Sequence, residues 1–288
     1  TANLNTLIQR YEDNFEWINN AEHDEIFKWR AVRCFQDVWF SEEVEDMTFA
    51  EKFKAATKEC SVLLDNGQVS PTNGIVKMAE QEPDEVERLF VEVLFADDQG
   101  NLQLRQDHVE EFLDGIEAVR ERTFPSYWKY GQNRHCAFTY LALYAPEENY
   151  IYKYSEAEEF AKHIEYGIDI GSGQTFKLSA YYGMCDLVVD GIVKACILHV
   201  QRIILSLLQA GLGQALQETF PAIIQGTMLP VLGDPDYRYF VFPGSTGTRQ
   251  QCQAKTYRSK DSLADSVSFF DFHNFILLFH CLVDFFEA

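Results

Sequence analysis

The sequence predicts a mainly α-helical protein with a small pair of β-strands near its C-terminus. Apolar residues recur at helical spacing through the first three quarters of the chain, and several of these stretches follow residues that favour a helix start. Further on, two extended-looking runs at 237–242 and 250–257 flank the turn-forming sequence Pro-Gly-Ser-Thr-Gly, a pattern typical of a hairpin. The 288 residues, 47% of them hydrophobic, are enough to bury a sizeable core.

The early helices are placed by their start signals and their apolar faces. Thr48 and Glu51 form a capping-box pattern, and Pro83 suits the first turn of a second helix. A third helix is indicated by an apolar stripe: Val109, Phe112, Leu113, Ile116 and Val119. We expect one loop at Asn66-Gly67 and Asn73-Gly74, around Pro71, and another at 97–101.

The later elements follow from breakers and caps. A helix should end at Ala145-Pro146 and lead into an extended, tyrosine-rich connector, after which Ser155 and Glu158 form a second capping-box pattern. A glycine turn is expected at 171–173, because the residues around it lack the spacing of a phosphate-binding loop. The run at 176–216 is apolar almost all round and is interrupted by glycines, which predicts two successive core helices.

Charge divides the chain into an acidic helical region at 1–125 and an aromatic-rich helical core with the β element at 126–288, although one continuous domain fits the pattern equally well. The first region holds 28 Asp and Glu against 12 Lys and Arg, and the net charge of the whole chain is -21. Such a surface repels phosphate, so nucleic acid is expected only through a local basic patch. The modest cluster available for it is Arg120, Arg122, Lys129 and Arg134.

Aromatic residues concentrate around the connector and suggest a place for a ligand. They are Tyr127, Trp128, Tyr130, Tyr140, Tyr144, Tyr150, Tyr152 and Tyr154. Tyrosines in such numbers more often pack in a core than stack on a base. If the chain has a pocket, we expect Tyr130, Arg134, Tyr152 and Lys153 to line it, because they combine flat apolar walls with cations.

The stretch from Glu117 to Asp186 also carries a family resemblance. Its LYAPE turn, its YIYKYSEA connector and its YYGMCD helix resemble the helical N-terminal regions of McrB-like restriction and defence proteins. The resemblance implies a specificity region that senses a target while a separate motor and nuclease act. The chain has no recognisable ATP or GTP site of its own.

One stretch allows an enzymatic alternative. Asp236 begins the first predicted strand, and Gln253 and Lys255 end the second. This arrangement resembles the QxK variant of the PD-(D/E)xK core of Mrr-like nucleases, in which an acid holds Mg²⁺ and the lysine orients water. The resemblance implies a magnesium-dependent endonuclease.

Cysteine, histidine and hydropathy patterns set the remaining expectations. Seven cysteines stand singly without a CxxC pair, which predicts a reducing, cytoplasmic setting. The histidines lack the spacing of a zinc site, so we expect no metal centre. The apolar run at 268–286 contains polar and charged residues that disfavour a membrane span.

These features together favour a cytoplasmic, non-catalytic recognition module that binds a protein partner without a cofactor. Its place in a restriction or phage-defence system is implied by the resemblance alone. Two alternatives stay open: the magnesium-dependent nuclease, and an acidic DNA mimic that binds a DNA-binding protein.

Overall fold

The structure, a computed structural model, describes residues 1–14, 17, 27–44, 46–64 and 69–209, with residues 29, 43 and 196–209 described by their backbone. The predicted strand pair, the candidate nuclease residues Asp236, Gln253 and Lys255, and the apolar run at 268–286 lie outside these ranges.

The described residues form nine α-helices and contain no β-strand, so the mainly helical prediction is confirmed. The helices are α1 Ala2–Asp13, α2 Phe27–Trp39, α3 Phe49–Ala56, α4 Pro71–Gln81, α5 Pro83–Arg88, α6 Leu102–Thr123, α7 Arg134–Tyr144, α8 Tyr154–His163 and α9 Leu178–Gln209. A π-helix, Leu89–Leu94, continues α5, and short 3₁₀ turns occupy Glu42–Val44, Trp128–Tyr130 and Gly173–Thr175.

Several predicted helix boundaries are confirmed. The hydroxyl of Thr48 accepts a hydrogen bond from the backbone N–H of Glu51, while the Glu51 carboxylate accepts one from the backbone N–H of Thr48, at 3.3 and 2.9 Å. Helix α6 begins after the 97–101 loop, where Asn101 caps the N–H groups of Gln103 and Leu104. Helix α7 ends at Tyr144, directly before Ala145-Pro146.

Two local predictions are wrong. Helix α8 begins at Tyr154 with Lys153 in the cap position and no capping side chain, so the predicted Ser155 capping box is absent. The ion pair between Lys153 and the buried Glu156 stabilises this earlier start. Asn73-Gly74 does not form a loop but lies inside α4, where Pro71 occupies the first turn.

The prediction of two successive core helices at 176–216 is also wrong. A single helix, α9, runs from Leu178 to Gln209 through both Gly183 and Gly191. The missing side chain at Gly191 lets α1 approach, because an added Cβ would lie 2.5 Å from Cδ1 of Ile8. The first half of α9 has a solvent face as well as a buried one, with Asp186 and Asp190 exposed.

An aromatic cluster around Phe90 forms the centre of the core. Phe90 on the π-helix lies 5.1 Å from Phe53, 4.9 Å from Phe112 and 5.3 Å from Tyr140, between ring centroids. The predicted stripe on α6 is buried against it, with Val109, Phe112, Ile116 and Val119 fully inaccessible. The cluster therefore joins side chains from both sides of residue 125 in one hydrophobic core.

Candidate interaction surface

The aromatic residues predicted as one group divide into a buried set and an exposed set. Tyr140, Tyr150 and Tyr152 belong to the core, in agreement with the packing interpretation. Tyr127, Trp128 and Tyr154 are exposed, while Tyr130 and Tyr144 are half-buried. The exposed set offers a partner more aromatic surface than the buried or half-buried tyrosines do.

Tyrosine hydroxyl groups hold the connector between α7 and α8 in place. The Tyr181 hydroxyl donates to the backbone carbonyl of Ile151 at 2.5 Å, and the Tyr182 hydroxyl donates to Oδ1 of Asn149 at 3.2 Å. A tyrosine hydroxyl keeps its proton at neutral pH, and burial raises the pKa of Tyr182 further, to about 12. The YYGMCD motif therefore serves to anchor the connector to α9.

A buried arginine clamps the 97–101 loop to the two residues that follow the LYAPE turn, Glu148 and Asn149. Arg105 is 5% exposed and donates two hydrogen bonds to the Asp98 carboxylate, at 2.6 and 3.0 Å. It also donates to the carbonyl of Glu148 and to Oδ1 of Asn149, and its guanidinium lies 5.7 Å from the Tyr182 ring. Burial disfavours the charge on Arg105, but the bonds to Asp98 outweigh it and raise the pKa of the guanidinium.

The clamp has almost no signature in the sequence. Its one local signal is the acidic loop followed by an arginine in the next helix, since Asp98 and Arg105 are seven positions apart. The contact with Asn149 spans 44 positions and has no local signal.

Of the four predicted ligand-binding residues, two form ion pairs within the protein and a third is buried. The Arg134 guanidinium donates two bonds to the Glu110 carboxylate, at 2.7 and 2.6 Å. Lys153 forms an ion pair with Glu156. The Tyr152 ring is 4% exposed and packs among other aromatic rings.

The predicted basic patch is largely neutralised by carboxylates. Beyond Arg134, the other two arginines are also bound in forked pairs: Arg120 to Glu117 and Arg122 to Glu82, each with a closest approach of 2.6 Å. The lysine of the cluster, Lys129, lies 5.9 Å from the ring centroid of Trp128. The patch therefore presents little net positive charge for phosphate groups.

The fourth predicted ligand residue, Tyr130, belongs to an exposed segment that we call the aromatic loop, residues 124–132. Five consecutive residues of this loop, 125–129, are exposed. The side chain of Trp128 is 67% exposed and that of Tyr127 47%. The loop thus presents two large aromatic side chains to solvent between α6 and α7.

The aromatic loop is held firmly against α4. The backbone N–H of Ser70 donates to the carbonyl of Lys129 at 3.0 Å, and the Gln132 amide donates to the carbonyl of Pro71 at 3.0 Å. Gly74 allows this close approach, because a Cβ there would lie 2.8 Å from backbone atoms of Tyr130. The exposed rings are therefore carried on a fixed backbone.

Three further predictions concern the glycine turn, metal-binding groups and the cysteines. The glycine turn closes on itself, since Asp169 accepts from the N–H of Gly171 and a Cβ on Gly171 would lie 1.8 Å from the Thr175 carbonyl. Within the described ranges, His, Cys, Asp and Glu do not gather into groups of three or more that could hold a metal ion. Cys34, Cys60, Cys136 and Cys185 keep reduced thiols.

None of the helices in the described part of the chain combines the length and the hydropathy needed to span a bilayer. No protein-family model, curated protein or solved structure matches the chain.

Proposed function

We propose that this chain is a non-catalytic recognition module that binds a partner protein through the aromatic loop. The observation that carries the proposal is the exposure of Trp128 and Tyr127 on a loop that is hydrogen-bonded to the start of α4. Tryptophan and tyrosine are the residues most enriched at the energetic centres of protein interfaces. A rigid loop also loses little conformational entropy when it binds.

A protein suits this surface better than nucleic acid does. The arginines beside the loop are already bound to Glu117, Glu82 and Glu110. A phosphate backbone would have to displace these carboxylates against a net charge of -21. A protein surface that is uncharged, or that carries charges of both signs, can bind without displacing these carboxylates.

The resemblance of residues 117–186 to McrB-like proteins supports a more specific version of the proposal. The aromatic loop lies inside that stretch, so the loop would sense a target for a restriction or defence system whose motor and nuclease act separately. A cytoplasmic setting belongs to the same proposal.

The proposal is tested by affinity capture with matched variants, using extract of the source organism. Trp128→Ala removes the most exposed ring, and Ile168→Ala removes an apolar side chain that is 57% exposed elsewhere on the surface. We expect a protein retained by the wild type and by Ile168→Ala, with binding to Trp128→Ala weaker by about tenfold or more, as for a hot-spot residue.

Quantitative mass spectrometry of the retained proteins provides the readout, followed by titration of the purified partner. Equal retention of every protein by Trp128→Ala and by the wild type would refute the aromatic loop as the binding surface.

A further inference from the structure

The aromatic loop carries two exposed hydrogen-bond donors. Among the residues that the structure describes, the Trp128 indole N–H and the Tyr127 hydroxyl donate to no other group. Their side chains are 67% and 47% exposed, so both donors bond to water in the free protein. The neighbouring Tyr130 differs, because its hydroxyl accepts a hydrogen bond from the Asn73 amide, 3.5 Å away.

A partner that covers these rings must also supply acceptors. Covering the rings removes water from both donors, and a buried donor without an acceptor costs free energy. Most carbonyls of a helix or of a central strand are already bonded within their own element, so they do not fill this role. An extended polyproline II segment has no internal hydrogen bonds, and its carbonyls are therefore free to accept.

The charges around the loop favour an uncharged acceptor over a carboxylate. Arg120 and Arg122 are held by glutamates at 2.6 Å. Lys129 lies 5.9 Å from the Trp128 ring centroid, but this single lysine stands against a net charge of -21 for the whole chain. A carboxylate would approach against that charge, whereas a main-chain carbonyl would not.

The rings of the loop form a continuous apolar surface. The ring centroids of Tyr127 and Tyr130 lie 4.4 Å apart, with an interplanar angle of 59°, and Phe124 packs edge-on against Tyr130 at 5.3 Å. Aromatic surfaces of this kind bind the pyrrolidine rings of proline-rich segments. Proline also has no backbone N–H, so it brings no donor that would need an acceptor on the loop.

We infer that the aromatic loop binds a proline-rich segment of its partner in the polyproline II conformation. The rings of Tyr127 and Trp128 contact the prolines, and their two donors bond to the carbonyls of the segment. The inference rests on the proposed function, because it names the class of partner for the same loop. The loop is hydrogen-bonded to the start of α4 and a polyproline II segment is stiff, so association loses little conformational entropy.

The test is an NMR titration of the isotope-labelled full chain with acetyl-octaproline-amide, compared with the mirror-image peptide built from D-proline. The two peptides have the same composition and the same apolar surface, but their helices have opposite hands. We expect a saturable shift of the Trp128 indole N–H signal with the L-proline peptide and none with the D-proline peptide.

Matched variants separate the donors from the rings. Trp128→Phe and Tyr127→Phe each keep an aromatic ring but remove one donor, and each should weaken binding of the L-proline peptide about fivefold, as for one neutral hydrogen bond. The backbone amide signals of the loop report binding in both variants. Tyr154→Phe removes the hydroxyl of another exposed tyrosine, on α8, and should leave binding unchanged.

The inference is overturned if the L-proline peptide gives no saturable shift, if the D-proline peptide binds equally well, or if Tyr154→Phe weakens binding as much as Tyr127→Phe. The capture experiment with Trp128→Ala decides the proposed function separately. A protein that this variant fails to retain, together with no shift from the L-proline peptide, would mean that the loop binds a partner of another class.

Discussion

Arg105 shows how much of the architecture depends on one residue. Its side chain is 6% exposed and that of its partner Asp98 10%. Replacing the arginine with methionine keeps an unbranched side chain but leaves the Asp98 carboxylate buried without its counter-ion. We expect Arg105→Met to lower the free energy of unfolding by about 3–5 kcal/mol, as for one half of a buried ion pair. Urea denaturation followed by circular dichroism measures this loss.

Arg122→Met is the matched control for that measurement. Arg122 pairs with Glu82 at 2.6 Å, but its side chain is 53% exposed, so water already screens the pair. We expect a much smaller loss of stability than for Arg105→Met. Equal losses in the two variants would contradict the role assigned to the buried clamp.

The hydrogen bonds of Arg134 and Arg105 explain why side-chain chemistry is harder to predict than helix formation. Arg134 was chosen from the sequence as a ligand residue because cations are scarce, yet its partner Glu110 lies 24 positions earlier. A carboxylate so far away in sequence can be assigned only when the packing of α6 against α7 is known. The same holds for Arg105 and Asn149.

The close contact between α4 and the aromatic loop predicts that a side chain at Gly74 destabilises the protein. Gly74→Ala places a Cβ 2.8 Å from backbone atoms of Tyr130, and a backbone cannot rotate aside. We expect this overpacking to cost about 1–3 kcal/mol and to outweigh the gain of about 1 kcal/mol in helix propensity. Thermal unfolding measures the loss, and NMR shifts of Tyr127 and Tyr130 report displacement of the loop.

Gly191→Ala on α9 provides the control. Its Cβ would lie 2.5 Å from Cδ1 of Ile8, which is the end of a flexible side chain and can change rotamer. We expect little net change in stability, because the propensity gain offsets the repacking. A loss in Gly191→Ala as large as that in Gly74→Ala would show that the backbone contact is not the decisive feature.

The helices were predictable where their signals are local. The reciprocal bonds of Thr48 and Glu51 lie within one turn, so the sequence pattern was sufficient. The same pattern at Ser155 was wrong, because Lys153 and Glu156 stabilise an earlier start. Gly183 and Gly191 predict breaks in a helix, but α9 continues through both of them, and Gly191 lies against the Ile8 side chain of α1.

For the whole molecule, the proposed function predicts that the purified chain does not cut DNA. The nuclease alternative would use Asp236, Gln253 and Lys255 with Mg²⁺, and the acid and lysine would then be needed for cleavage. The assay uses supercoiled and methylated plasmid with Mg²⁺ or Mn²⁺ and compares the wild type with Lys255→Ala. Cleavage by the wild type alone would refute the non-catalytic proposal.

The class of the fold was accessible from the sequence because apolar periodicity and caps are distributed along the chain. The shared core was not, because Phe53, Phe90, Phe112 and Tyr140 meet only when four separate elements pack together. The exposure of Trp128 could not be predicted either. The local sequence, a tryptophan among tyrosines, is the same whether its rings are buried or exposed.

The tyrosine hydroxyls of the connector have a consequence for how this protein tolerates change. Tyr181 and Tyr182 hold Ile151 and Asn149 by single hydroxyl oxygens, while their rings pack among other aromatic side chains and, for Tyr182, beside Arg105. Phenylalanine would reproduce the volume of each ring but would remove the hydrogen bond that each hydroxyl donates to the connector. In this part of the chain, a substitution that keeps the shape of a side chain can still remove a hydrogen bond that positions the backbone.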